Sequence, residues 1–138
     1  MPNLSFLMKP TSRQIAQITA LYRQAGWWGE DAPDDPGLVE RIVAGSHCFV
    51  IAGHNDAIVG MGRAVSDKAS DAYLQDITVH ESYRNQGLGS RIITMMVDRL
   101  QRDGIEWIGL IAEKKSYPLY EKLGFRRLAG ATPLVLQK

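Results

Sequence analysis

The chain has 138 residues, 45% of them hydrophobic, and its 16 basic and 15 acidic side chains leave a formal net charge of +1. That length suits a single domain, 1–138, with a real core and no room for a second. No basic block exceeds two residues, no apolar run is long enough to span a membrane, and Met1-Pro2-Asn3-Leu4 carries no leader pattern, so a soluble cytoplasmic protein without nucleic-acid or membrane binding is expected. Cys48, the one cysteine, sits in an apolar run and reads as a passive buried thiol; no Cys/His spacing suggests a metal.

In chain order, Ser5, Phe6, Leu7 and Met8 read as a short strand stopped by Pro10. Thr11 or Ser12 can cap a helix in which Ile15, Ile18, Leu21, Tyr22 and Ala25 recur at helical spacing before Gly26. Residues 27–36 join two tryptophans to four acids and two prolines, which is loop chemistry, and Leu38, Ile42 and Val43 mark a second helix. Residues 48–52 and 58–65 form a hairpin around Gly53-His54-Asn55-Asp56, and a further strand covers 72–79. Ile92, Ile93, Met96, Val97 and Leu100 give a helix one apolar face, with Gly104 as its stop. Residues 105–112 read as a buried strand. Ser116, Pro118 and Gly124 frame a short helix over 117–123, and 125–128 and 133–137 supply final strands. The order β-α-α-β-β-β-α-β-α-β-β predicts an α/β fold: a mixed, twisted sheet of six to seven strands flanked by about four helices.

Arg84-Asn85-Gln86-Gly87-Leu88-Gly89-Ser90 lies between a strand and a helix. Glycines there let backbone approach a ligand, and the first helical N–H groups and the helix dipole favour an anion. A Walker loop would need a lysine and a hydroxyl residue after Gly89, and a dinucleotide fingerprint would need a glycine at Ile92. What remains is a phosphate-bearing ligand of another kind.

Two segments, 74–89 (LQDITVHESYRNQGLG) and 119–125 (LYEKLGF), together resemble the GNAT N-acetyltransferase superfamily, and the runs 25–28 (AGWW) and 63–67 (RAVSD) look like those of its small bacterial and plant-plastid members, among them arylalkylamine-acetylating enzymes. The resemblance implies that acetyl-CoA lies where the strand ending at Val79 splays from the strand over 105–112. Backbone of Ile77, Thr78 and Val79 would bond the pantetheine, with a backbone N–H near Val79 polarising the carbonyl. N–H groups of Asn85, Gln86, Gly87, Leu88, Gly89 and Ser90 would take the pyrophosphate, and Arg84 would add charge. Tyr120 would protonate the departing thiolate. The position seven before it, often Asn in the family, is Glu113 here, which removes that cofactor contact from the expectation.

The amine must attack neutral, and an ammonium of pKa ~10.4 is only about one part in 10³ to 10⁴ neutral at pH 7, a penalty of roughly 4 to 5 kcal/mol. A proton acceptor is therefore expected: Asp76 first, Glu113 second, although Asp76 could equally be a structural ion-pair carboxylate. Trp27 and Trp28, followed by Glu30, Asp31, Asp34 and Asp35, suit a cationic or aromatic amine, small molecule or protein. His47, His54 and His80 read as isolated. The leading expectation is an acetyl-CoA-dependent N-acetyltransferase acting by direct attack, homodimeric by family resemblance. The alternatives are a non-catalytic acyl-CoA-binding or regulatory module of the same fold, or a nucleotide-binding protein of another fold.

Overall fold

The computed structural model describes residues 1–137. Five strands, β1 (Asn3–Phe6), β2 (Cys48–His54), β3 (Ala57–Ser66), β4 (Asp71–Val79) and β5 (Trp107–Gly109), form one sheet in sequence order. The first four pair antiparallel and β5 joins β4 in parallel. Helices α1 (Ser12–Gln24) and α2 (Pro36–Gly45) cover one face, and α3 (Leu88–Arg102) the other; α4 (Tyr117–Lys122) follows β5.

Local chemistry sets these boundaries. The Thr11 hydroxyl accepts from Gln14 N while Gln14 Oε1 accepts from Thr11 N, a reciprocal cap that starts α1. Asp35 accepts from Leu38 N ahead of Pro36 and starts α2. Asn55 and Asp56, both at positive φ, close the β2–β3 hairpin.

Strand β2 is buried on both sides, and its alternation divides the core in two. Cys48, Val50 and Ala52 pack with Ile92, Met96 and Leu100 of α3, while Phe49 and Ile51 pack with Ile18, Tyr22 and Val39. On β3 the α3 side carries Gly60 and Gly62. A Cβ on Gly62 would come within 2.9 Å of both Ile92 and Met96, so the missing side chain is what lets α3 lie close to the sheet.

Strand β4 contains a bulge. Met61 faces Thr78 and Arg63 faces Gln75, so Asp76 and Ile77 together stand opposite Gly62 alone. Asp76 adopts φ 58°, a left-handed conformation that costs a non-glycine residue about 1 kcal/mol and that Asp tolerates better than most. The extra residue resets the alternation: Ala72 and Leu74 face α3 before it, and Ile77 and Val79 pack on that side after it.

The expected strands at 125–128 and 133–137 are absent, so the sheet has five strands rather than six to seven. The strand expected over 105–112 shrinks to three residues, because β4 pairs with β5 only from Asp71 to Tyr73. An apolar run becomes a strand only where a partner edge lies alongside. The first strand lies two residues earlier than expected, set by Asn3 facing Gly53 and Phe6 facing Val50.

Candidate active site

Pairing between β4 and β5 stops at Tyr73 and Gly109, and the two strands part. A cavity of about 750 Å³ opens in the gap, bounded by the rest of β4, the chain after β5, the starts of α3 and α4, and the end of α1. Of the residues expected from the sequence, Trp27, Asp76, Ile77, Thr78, Val79, Arg84, Gly89 and Tyr120 line it, as does Glu113.

The other expected residues lie outside the lining. Leu88 is buried in the α3 core, and Ser90 lies on a separate shallow surface beside Leu4 and Arg91. Asn85 (φ 62°) and Gly87 (φ 78°) shape the turn by left-handed backbone rather than by side chains, and Gln86 between them is exposed. Trp28 stacks flat on Tyr22, ring centroids 4.1 Å apart, and belongs to the core under α1.

At the start of α3 the cavity reaches backbone. Helix α3 begins at Leu88 after Gly87, and no side chain caps that end. Gly89 lines the cavity, and a Cβ there would make only ordinary contact with Leu119 at 3.7 Å, so the bare backbone is a matter of access and not of crowding. Arg84 turns back on its own turn, its Nε donating to the Val79 carbonyl at 3.0 Å.

Across the cavity the construction is by side chains. Asp76 Oδ2 accepts from Arg63 Nε at 2.6 Å and from the Tyr22 hydroxyl at 2.7 Å. Burial, reinforced by the hydrogen bond to Asp76 and its charge, pushes the Tyr22 phenol far above the ordinary range, so it remains a donor. The backbone N–H groups of Trp27 and Trp28 both donate to the Tyr22 carbonyl, and Trp27 meets the Tyr22 ring edge-on at 6.0 Å. Arg23 ties down the following loop through the Ala32 carbonyl (2.7 Å) and Asp34 (2.8 Å). Two of the four loop acids are thereby committed, Asp34 to Arg23 and Asp35 to capping α2, which leaves Glu30 and Asp31 to supply the expected negative potential.

Tyr120 stands where the two sides meet, on the first turns of α4, edge-on to Phe125. Burial raises its phenol, and the charge of Glu113 adds to the effect, so the group is a proton donor at neutral pH. Lys114 reaches from beside Glu113 to the Ala25 carbonyl at 3.4 Å, joining the two sides of the cavity.

Sequence reasoning missed Tyr22 and Arg63. Tyr22 reads as one more apolar position on α1, and its partner lies 54 residues away. The histidines are also less isolated than expected: His47 is held between Ser66 (2.6 Å) and Asp103 (2.8 Å), and His54 meets Tyr83 at 2.9 Å.

Comparison with known proteins identifies the family and the fold. The family described as "Acetyltransferase (GNAT) family" matches residues 13–125. The chain is 35% identical over 71 residues to an uncharacterized N-acetyltransferase, ycf52, of Pyropia yezoensis; the match spans 51% of this chain and 41% of that relative. Among solved structures, a Staphylococcus aureus protein of unknown function superposes with TM-score 0.82 over the whole of both chains at 24% identity. A protein of Clostridium acetobutylicum described as a predicted acetyltransferase, solved with acetyl-CoA, superposes with TM-score 0.73 at 16% identity over 98% of this chain and 96% of that one. These two likenesses are likenesses of fold. Among the described residues, no helix is long and apolar enough to cross a membrane.

Proposed function

Because the chain belongs to the acetyltransferase (GNAT) family, we propose that it moves the acetyl group of acetyl-CoA to a primary amine by direct attack on the thioester. One observation carries this reading: a single cavity joins the open edge of β4 and the bare backbone of Gly89 to the Asp76 carboxylate and the Tyr120 phenol. The residues present suit the donor. Backbone along 77–79, apart from the Val79 carbonyl that Arg84 holds, is open to amide groups as a neighbouring strand would be, and the uncapped start of α3, approached through 85–90, suits a pyrophosphate.

Acetyl-CoA supplies the acyl carbonyl and a thiol leaving group. Asp76 meets the incoming ammonium and relays its proton toward solvent, directly or through water, giving the nitrogen a route to the neutral form that lies roughly 4 to 5 kcal/mol uphill at pH 7. As the new C–N bond forms and the C–S bond breaks, Tyr120 gives its proton to the sulfur. Two protons leave nitrogen, one from the ammonium before attack and one as the amide forms; one reaches sulfur from Tyr120, and the net proton passes to solvent as the two side chains re-equilibrate. Trp27, with Glu30 and Asp31 in the loop beyond it, favours a cationic or aromatic amine.

The test is thiol release from acetyl-CoA with a panel of tyramine, spermidine, glucosamine, an aminoglycoside and a lysine-containing peptide. Acceptor-dependent release is expected. Binding of acetyl-CoA without release from any of the five would replace this reading with a non-catalytic acyl-CoA-binding module.

A further inference from the structure

The bulge leaves Asp76 with an orientation problem. At φ 58° its side chain is no longer held in line by the alternation of the strand, and only its hydrogen bonds fix where the carboxylate points. Both observed bonds fall on Oδ2, one from Arg63 Nε across the strand pair and one from the Tyr22 hydroxyl above it. Tyr22 is almost fully buried and its ring is sandwiched against Trp28, so its hydroxyl has little freedom to follow a wandering carboxylate. Arg63 is steadied in turn by a longer contact from Nη2 to Gln75 Oε1.

Resting on the transferase reading above, we propose that Tyr22 and Arg63 are positioning residues for the acceptor: they clamp Oδ2 of Asp76 from two directions and so present Oδ1 to the ammonium of the incoming amine. Tyr22 performs a second task with the same atoms' scaffold. Its carbonyl holds the N–H groups of Trp27 and Trp28, so one residue sets both the acceptor wall and the carboxylate beyond it. The acceptor class this selects is a primary amine that arrives as a cation, its charge at Asp76 and its carbon skeleton along Trp27. Neither residue is part of the cavity lining, so the pair acts on the acceptor through Asp76 and leaves acetyl-CoA binding alone.

Tyr22→Phe is the selective probe, because it keeps the stacked ring and the backbone bonds and removes only the hydroxyl. With the best acceptor of the five-amine panel, the acceptor KM is expected to rise roughly fivefold to tenfold while the acetyl-CoA KM stays within about twofold. Arg63→Gln should raise the acceptor KM at least as much, and Arg63→Lys should recover part of it. In an Asp76→Asn background the Tyr22→Phe change should add little, since the two act through one carboxylate. An unchanged acceptor KM, equal rises in both KM values, or full additivity with Asp76→Asn would each overturn the proposal. If the unmodified protein releases no thiol with any amine, the transferase reading itself fails and takes this one with it; an active parent with an indifferent Tyr22→Phe sinks this one alone.

Discussion

The two sides of the cavity are made of different material. The side assigned above to the donor takes in the unpaired edge of β4, an uncapped helix start and a glycine, so backbone is open along it. The side assigned above to the acceptor rests on side chains: Asp76 in the lining, held from behind by Arg63 and by Tyr22, on which Trp28 stacks, drawn from β4, β3, α1 and the loop after α1. A backbone surface tolerates side-chain change so long as nothing is added to it. A side-chain surface changes with each residue, so one fold can keep its donor and vary its acceptor.

That contrast can be broken or sharpened by mutation. The largest effect belongs to Tyr120, where the sides meet. Tyr120→Phe should lower kcat on the order of 100-fold with both KM values nearly unchanged, measured by steady-state thiol release. Because its phenol is raised by burial and by Glu113, it stays protonated through neutral pH, and no loss of rate that depends on Tyr120 should occur below about pH 10. A fall near pH 8 that vanishes in the Phe variant would contradict the acid role.

Adding a side chain to the donor side comes next. Gly89→Val should raise the acetyl-CoA KM about tenfold or more and leave the acceptor KM alone. Position 89 is helical and a Cβ there makes only ordinary contact with Leu119 at 3.7 Å, so the melting midpoint should fall far less than a buried overpacking would lower it. An unchanged acetyl-CoA KM would show that the backbone at α3 is not the donor surface.

The smallest effect should come from removing a side chain from that same region. Arg84→Ala is expected to change the acetyl-CoA KM by less than about threefold, because the guanidinium is exposed and turned toward the Val79 carbonyl. A tenfold loss would mean that charge, and not backbone, governs donor binding.

The same division decides what could be read from the sequence. Glycines 87 and 89 and the apolar face from Ile92 to Leu100 are neighbours in the chain, so their spacing reports the helix start directly, and the structure brings eight of the expected site residues to one cavity. The acceptor side is assembled from positions 13 to 54 residues apart, each unremarkable where it stands. Trp28 shows the cost: an aromatic in a polar loop reads as recognition surface, yet its ring closes the core over Tyr22. The segments 125–128 and 133–137 have strand composition but find no edge to join, and composition alone carries no information about partners.

The bulge at Asp76 is, in arithmetic terms, an insertion of one residue. Without position 76, Ala72, Leu74, Ile77 and Val79 would fall into a single unbroken alternation, all on the α3 side, and β4 would lie flat against β3 with its core face complete. The hydrophobic pattern of the strand is therefore already that of a regular strand, and the carboxylate is an addition to it. Fold and chemistry part company at that position: deleting one residue would leave a strand able to pair and pack, and a cavity without the Asp76 carboxylate.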